Sequence, residues 1–211
     1  MGIMGRLRSA VMQRSRTRNI EDFYRYVPHE CDVLDVGVSK VDHSPQENLF
    51  LKLFRFPEVR YTGLAVDTMV DLERQHPGKR FVVYDGRVFP FPDRHFGVVF
   101  SNAVIEHVGG WAEQILFINE MLRTGEKVFF TTPNKFFPIE SHTNSILIHW
   151  FSRWFYAWCR RHDSFWSENN LRLLSHSELL SLMKHYSAKS FTIKRNRFFG
   201  LTMTFSVFCQ S

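Results

Sequence analysis

Cysteine is scarce in this sequence, with three residues at positions 31, 159 and 209. They lie far apart, are odd in number and form no C-x-x-C pair, so neither a disulfide framework nor a structural zinc is expected. The ten histidines show no H-E-x-x-H or other ligand spacing, and no metal is expected from the pattern. Such cysteine usage fits a reducing, cytoplasmic setting. No apolar run is long enough for a signal peptide or a membrane span. Internal repeats, low-complexity tracts and interdomain linkers are also missing. The most informative absence is a glycine-rich phosphate cradle: the chain has neither G-x-G-x-x-G nor G-x-x-x-x-G-K-[ST]. That argues against a dehydrogenase or a P-loop enzyme.

The 211 residues are 44% hydrophobic, enough for one substantial core, and carry a net charge of +6 that favours anionic partners. Residues 1–18 form a basic arm with Arg6, Arg8, Arg14, Arg16 and Arg18. The plain reading is a solvated, partly frayed segment. The sharper one is a peripheral tether to anionic lipid at the inner face of a membrane. Arg6 stands where a myristoylation signal needs Ser or Thr. Residues 19–211 read as a single domain.

Four short apolar runs end in polar residues. Val33-Leu34-Asp35-Val36-Gly37 is followed by a run ending at Asp67, one ending at Asp85, and Gly97-Val98-Val99-Phe100-Ser101-Asn102. A fifth covers 127–132. Helical spacing predicts helices over 19–26, 46–55, 70–75, after Gly110, 146–158 and 179–185. Ser175 and Glu178 make a capping box for the last of these. Residues 190–195 and 201–209 alternate like an antiparallel pair around Gly200. The expected fold is a doubly wound, seven-stranded, mostly parallel α/β sheet with a C-terminal antiparallel hairpin. Ligands of such sheets sit beyond the carboxyl ends of the central strands. Acidic strand ends without a phosphate cradle suit a ligand bearing hydroxyls, amines and positive charge. S-adenosylmethionine is one: Asp67 can accept from its ribose hydroxyls and Asp85 from its exocyclic amine.

The order VLDVG, GLAVD, VVYDGRVFPFPDRHFGVVFSNAVIEHV and KVFFTTPN resembles the class I S-adenosylmethionine-dependent methyltransferases, in particular the small metal-independent, type 11-like enzymes with a Rossmann-like fold. The likeness runs over about 33–134, and its specific part is 91–108. It implies cofactor contacts at Asp35, Gly37, Val38, Asp67, Asp85, Gly86, Ser101, Asn102 and Ala103, with Asp35 organising the Gly37 turn. One departure stands out: Val38 and Ser39 follow Gly37 where the family has a second glycine, and Asp67 comes 32 positions after Asp35. Either Ser39 or Asn48 helps a rewrapped loop hold the cofactor, or the site is degenerate. The latter would make the chain a non-catalytic binding or regulatory relative.

For a methyl transfer that removes a proton from a hydroxyl or amine, His107 beyond the fourth strand is the first candidate base. Glu140 and His142, on the loop after the fifth strand, are the next. Glu106 reads as an exposed or helix-dipole residue, and Asn134 as one that orients its loop or bonds the acceptor. The segment 140–170 reads as an aromatic helical insertion, with Leu147, Trp150, Phe151, Trp154, Phe155 and Trp158 on one stripe. That stripe either covers the core or, with Arg153, Arg160 and Arg161, meets a membrane-adjacent or lipid-linked acceptor. Small-molecule and glycan-type acceptors both fit. Nucleic acid is the less favoured acceptor: the net charge of +6 leaves it open, but there is no N-P-P-[YF] or D-P-P-Y signature and no appended RNA-binding module.

Overall fold

A computed structural model describes residues 3–42, 44, 47–185 and 190–210, with side chains from residue 13 onward. Seven strands form one sheet in the order β3-β2-β1-β4-β5-β7-β6. They are β1 (Val33–Val36), β2 (Tyr61–Ala65), β3 (Arg80–Val83), β4 (Phe96–Asn102), β5 (Gly125–Pro133), β6 (Ser190–Phe198) and β7 (Leu201–Gln210). The first five pair in parallel; β7 runs antiparallel to both β5 and β6. The chain order reverses at β1, where β2 lies on one side and β4 on the other, so the crevice of a doubly wound sheet opens at the end of β1.

Both faces of the sheet are covered. On one, α1 (Ile3–Tyr26), α2 (Leu49–Lys52) and α3 (Val70–Gln75) contribute Ile20, Phe23, Phe50, Leu51 and Leu72 to a core with Val33, Tyr61 and Phe100. On the other, α4 (Trp111–Thr124) and α6 (His176–Lys184) bury Phe117, Ile118, Met121, Leu179 and Leu182 against Leu34, Val99 and Val128. β1 and β2 are buried along their whole length, which explains their predominantly apolar sequences, with Asp35 and Thr62 as the polar exceptions. The capping box forms at α6: the Glu178 amide donates to Ser175 Oγ, and the Ser175 amide donates to Glu178 Oε2.

Several expectations are corrected. From Ile3 onward the basic arm is helical, as part of α1, rather than frayed; the side chains of residues 3–12, those of Arg6 and Arg8 among them, lie outside the described residues. Packing explains its C-terminal half: Phe23 meets Phe50, Phe100 and Phe129 edge to face. Asp22 takes Lys194 at 2.5 Å, and the Tyr26 hydroxyl donates to the Cys209 carbonyl. The helix expected over 46–55 starts at a residue outside the described ones and shrinks to the single turn α2. Asn48 before it is left-handed (φ 49°), which a helix interior does not allow. The aromatic helix α5 (Ser152–His162) starts late for the same reason, since Leu147 has φ 60°. Its buried face is Phe155 and Cys159 against Leu171 and Leu173, whereas Trp154 on the expected core stripe is 62% exposed.

Asp35 lies inside the sheet and accepts a 2.5 Å bond from the Tyr61 hydroxyl. Burial pushes its pKa up to about 7, against the lowering effect of that bond. The fold therefore favours the protonated carboxyl. The resulting stability is complete below the ordinary carboxylate range and is lost as pH rises through about 7. Asp35→Asn keeps an acceptor for Tyr61 and removes the titration. Its stability relative to wild type, measured by urea unfolding, is expected to improve by on the order of 3 kcal/mol between about pH 4 and about pH 8. An unchanged difference across that range would show that Asp35 ionises freely in the folded protein.

Candidate active site

The carboxyl edge of the sheet brings together most of the residues singled out in the sequence. At the end of β1, Gly37 has φ 91°, and its amide donates to the Leu64 carbonyl at 2.9 Å. A Cβ there would stand 2.3 Å from Val104 Cγ2, so only glycine fits. Val38 turns its side chain into the core and leaves only backbone at the edge. The second glycine of the family pattern is replaced by a side-chain brace: Asn48 Oδ1 accepts from the Ser39 amide at 2.9 Å, while its Nδ2 donates to the carbonyls of Ser39 and Val41.

Beyond β2, half-exposed Asp67 pairs through Oδ2 with Lys40 Nζ at 3.2 Å. The lysine thus bridges the ends of β1 and β2. Beyond β3, Asp85 Oδ1 accepts from the amides of Arg87 and Val88, which fixes the turn at Gly86 (φ 82°) and holds the carboxyl below its ordinary pKa. At the end of β4, Ser101 is buried and donates to the Val36 carbonyl, so it ties strands together. Asn102 Oδ1 accepts from Thr131 Oγ1 at 2.7 Å. Ala103 is left-handed (φ 57°) and redirects the chain toward the 3₁₀ turn Ile105–His107.

The P-F-P-D block is structural. Glu120 of α4 accepts from the Phe89 amide, and Arg123 donates to the carbonyls of Phe89 and Phe91 and to Asp93. Asn134 orients its loop, donating to the Thr202 carbonyl and accepting from the Phe136 amide.

His107, His142 and Glu140 converge. His142 Nδ1 stands 2.6 Å from Glu140 Oε1, His142 Nε2 stands 3.1 Å from His107 Nε2, and His107 Nδ1 stands 2.9 Å from the Asn170 carbonyl. Glu140 is buried, which alone would raise its pKa. The hydrogen bond and charge of His142, with the amides of His142 and Thr143, instead hold it at about 2. Burial would lower the pKa of His142, but Glu140 outweighs it and the imidazole is raised above its ordinary value. Donor direction then follows. A carbonyl and a carboxylate both demand N–H from the Nδ1 atoms, so a hydrogen bond between the two Nε2 atoms requires an additional proton on one of them. Trp166 closes one side, 5.2 Å from His142 and 5.7 Å from His107 between ring centroids.

Glu106 corrects the sequence reading, being fully buried rather than exposed. Its Oε2 accepts from Thr132 Oγ1, and its Oε1 has no hydrogen-bond partner among the described residues. Arg16 of α1 acts electrostatically on both Glu106 and His142. Nothing in the sequence pointed to Trp166 or Asn170, and Arg16 was read only as part of the basic arm, because each reaches the site from a distant segment.

The profile of a methyltransferase-domain family matches residues 12–178, well over half of the chain. The chain belongs to that family. With its 3-2-1-4-5-7-6 sheet, it is a class I S-adenosylmethionine-dependent methyltransferase. A search of curated proteins finds no match. Among solved structures, the methyltransferase is similar to a Pyrococcus horikoshii protein at TM-score 0.59 and 15% identity, covering 93% of this chain and 90% of that one. It is also similar to a Thermotoga maritima S-adenosylmethionine-dependent methyltransferase described as a possible histamine N-methyltransferase, at 0.57 and 14%, covering 99% and 96%. A third is the Haemonchus contortus phosphoethanolamine N-methyltransferase 2, at 0.58 and 14%, covering 92% of this chain and 52% of that one.

The residues present fit the cofactor. Carboxylates end β2 and β3, the Gly37 and Gly86 turns bring bare backbone to the edge, and no phosphate cradle competes. Lys40 is the misfit, since it pairs with Asp67 and adds positive charge at the edge that would have to hold a cationic cofactor. In calorimetric titrations, Asp67→Ala is expected to weaken S-adenosylhomocysteine binding at least about tenfold. Lys40→Gln should tighten S-adenosylmethionine about two- to fivefold, and S-adenosylhomocysteine, whose sulfur is neutral, less. Equal effects on both ligands would remove the charge argument.

Proposed function

We propose that this methyltransferase acts on a hydroxyl or amine of a small-molecule or glycan-type acceptor, with His107 receiving the proton that leaves. S-adenosylmethionine supplies the methyl group as an electrophile. The chain's own residues have then to hold the acceptor and take its proton. The observation carrying this reading is the Glu140–His142–His107 hydrogen-bonded chain next to the end of β4. Asn170 fixes the His107 tautomer with Nδ1–H, which leaves Nε2 as the lone pair for a substrate proton. A protonated His142 caps that lone pair, and loss of its proton frees it.

Activity is therefore expected to rise with pH through the raised His142 pKa. Glu140→Gln removes the main raising influence, so the acid limb of the rate profile should move to lower pH while the maximum falls. His107→Ala should lower kcat by about 10²–10⁴-fold with little change in cofactor affinity. An unchanged kcat in His107→Ala, measured on any acceptor that the enzyme turns over, would sink the assignment.

A membrane-adjacent acceptor has separate support. Phe151 and Trp154 contact each other with ring centroids 4.9 Å apart and planes tilted by 43°, and both are more than half exposed, at the start of the helix that carries Arg153, Arg160 and Arg161. The chemistry of that surface suits anionic lipid. Sedimentation with anionic vesicles, lost in Trp154→Ala and absent with neutral vesicles, is the expected result. No sedimentation would confine the acceptor to solution.

A further inference from the structure

We propose that His107 Nε2, His142 Nε2 and Glu106 Oε1 form a binding site for one divalent transition-metal ion. The ligand atoms of these three residues all lie within 4.8 Å of one another. Two nitrogens bound to one ion at about 2.1 Å stand roughly 3.0–3.4 Å apart at octahedral to tetrahedral angles. The two Nε2 atoms are 3.1 Å apart.

The surroundings match what metal-bound imidazoles need. Each Nδ1 faces an acceptor, Glu140 in one case and the Asn170 carbonyl in the other, which directs both Nε2 lone pairs at the same point. Two neutral imidazoles so held repel each other unless a cation lies between them. A proton serves in the metal-free protein; a metal serves both lone pairs at once. Glu106 supplies the third ligand, its fully buried Oε1 carrying no hydrogen bond among the described residues. Two imidazoles and one carboxylate favour Zn²⁺, Co²⁺, Fe²⁺ or Mn²⁺ over Ca²⁺ or Mg²⁺. The sequence hides the site because its histidines are 35 positions apart, on different loops.

Two charged side chains act on the cluster from outside it. Glu140 adds negative charge behind His142, while Arg16, whose charge acts on Glu106 and His142, competes with an incoming cation. The inference rests on the proposed function only for the place of the acceptor. A bound ion there selects an acceptor oxygen over a protonated amine. With the ion bound, both imidazoles serve as ligands and the hydroxyl proton passes to solvent water; the role of His107 as proton acceptor then belongs to the metal-free protein alone.

The test is titration of the chelator-treated, full-length protein with Co²⁺ alone, followed by its visible absorption and by calorimetry. One Co²⁺ per chain is expected, with affinity lowered at least about fiftyfold in His142→Ala and in Glu106→Gln and raised in Arg16→Gln. S-adenosylhomocysteine should still bind both weakened variants, which separates loss of the metal site from loss of the fold or of the cofactor site. Should either variant fail to fold, Zn²⁺ added to wild type must shift the His107 and His142 Nε2 resonances. No Co²⁺ binding by wild type, binding indifferent to these substitutions, or unshifted resonances would overturn the site. A metal bound tightly to a protein that transfers no methyl group would overturn the proposed function and leave the site standing.

Discussion

The buried Glu140 carboxylate is ionised only because every described hydrogen bond to it comes from a donor: the His142 and Thr143 amides, the Thr143 hydroxyl and His142 Nδ1. Leaving such a charge unsatisfied in the interior would cost several kcal/mol. The loop after β5 therefore has to fold around it, and His142 has to present Nδ1 to it. That constraint propagates. With His142 fixed from behind, its Nε2 must face His107, and the Asn170 carbonyl fixes His107 from its own far side. Two lone pairs are thus aimed at one point by groups that take no direct part in holding what lies between them. The chemistry proposed at the acceptor side rests on that forced confrontation.

The sheet supplies the other half of the site. Parallel strands deliver polar residues to one edge, and the switch at β1 separates β2 from β4 so that a ligand can enter between them. What holds the edge loops in place is side chain on backbone. Asn48 braces the segment after Gly37, Asp85 braces the Gly86 turn, and Glu120 with Arg123 pins the proline-rich segment before β4. Loops fixed this way can vary in sequence without losing their shape, and the missing second glycine after Gly37 is an instance.

The sheet itself was readable from the sequence because burial on both faces makes each central strand a short, mostly apolar run. Residues at strand ends, such as Asp67 and Asp85, were readable for the same reason. Helix boundaries were harder, since Asn48 and Leu147 adopt left-handed backbone that no propensity announces. The amphipathic stripe at 147–158 misled because two elements share it, a 3₁₀ turn and a later helix, so its helical period does not describe one face. His107, His142 and Glu140 were each visible as chemically able residues. Their meeting was not, and Glu106 was misread, because burial of a charged residue is decided by segments far away in sequence: Thr132, Arg172 and Arg16 surround it.

The central claim is that the two imidazoles are held with both Nδ1 atoms protonated and one cation shared between their Nε2 atoms. Nitrogen-15 NMR of the metal-free protein reads all four ring nitrogens directly. The account predicts protonated Nδ1 on both residues, a protonated Nε2 on His142 and a bare Nε2 on His107. A His107 carrying its proton on Nε2, or a His142 with a bare Nδ1 beside Glu140, would contradict it.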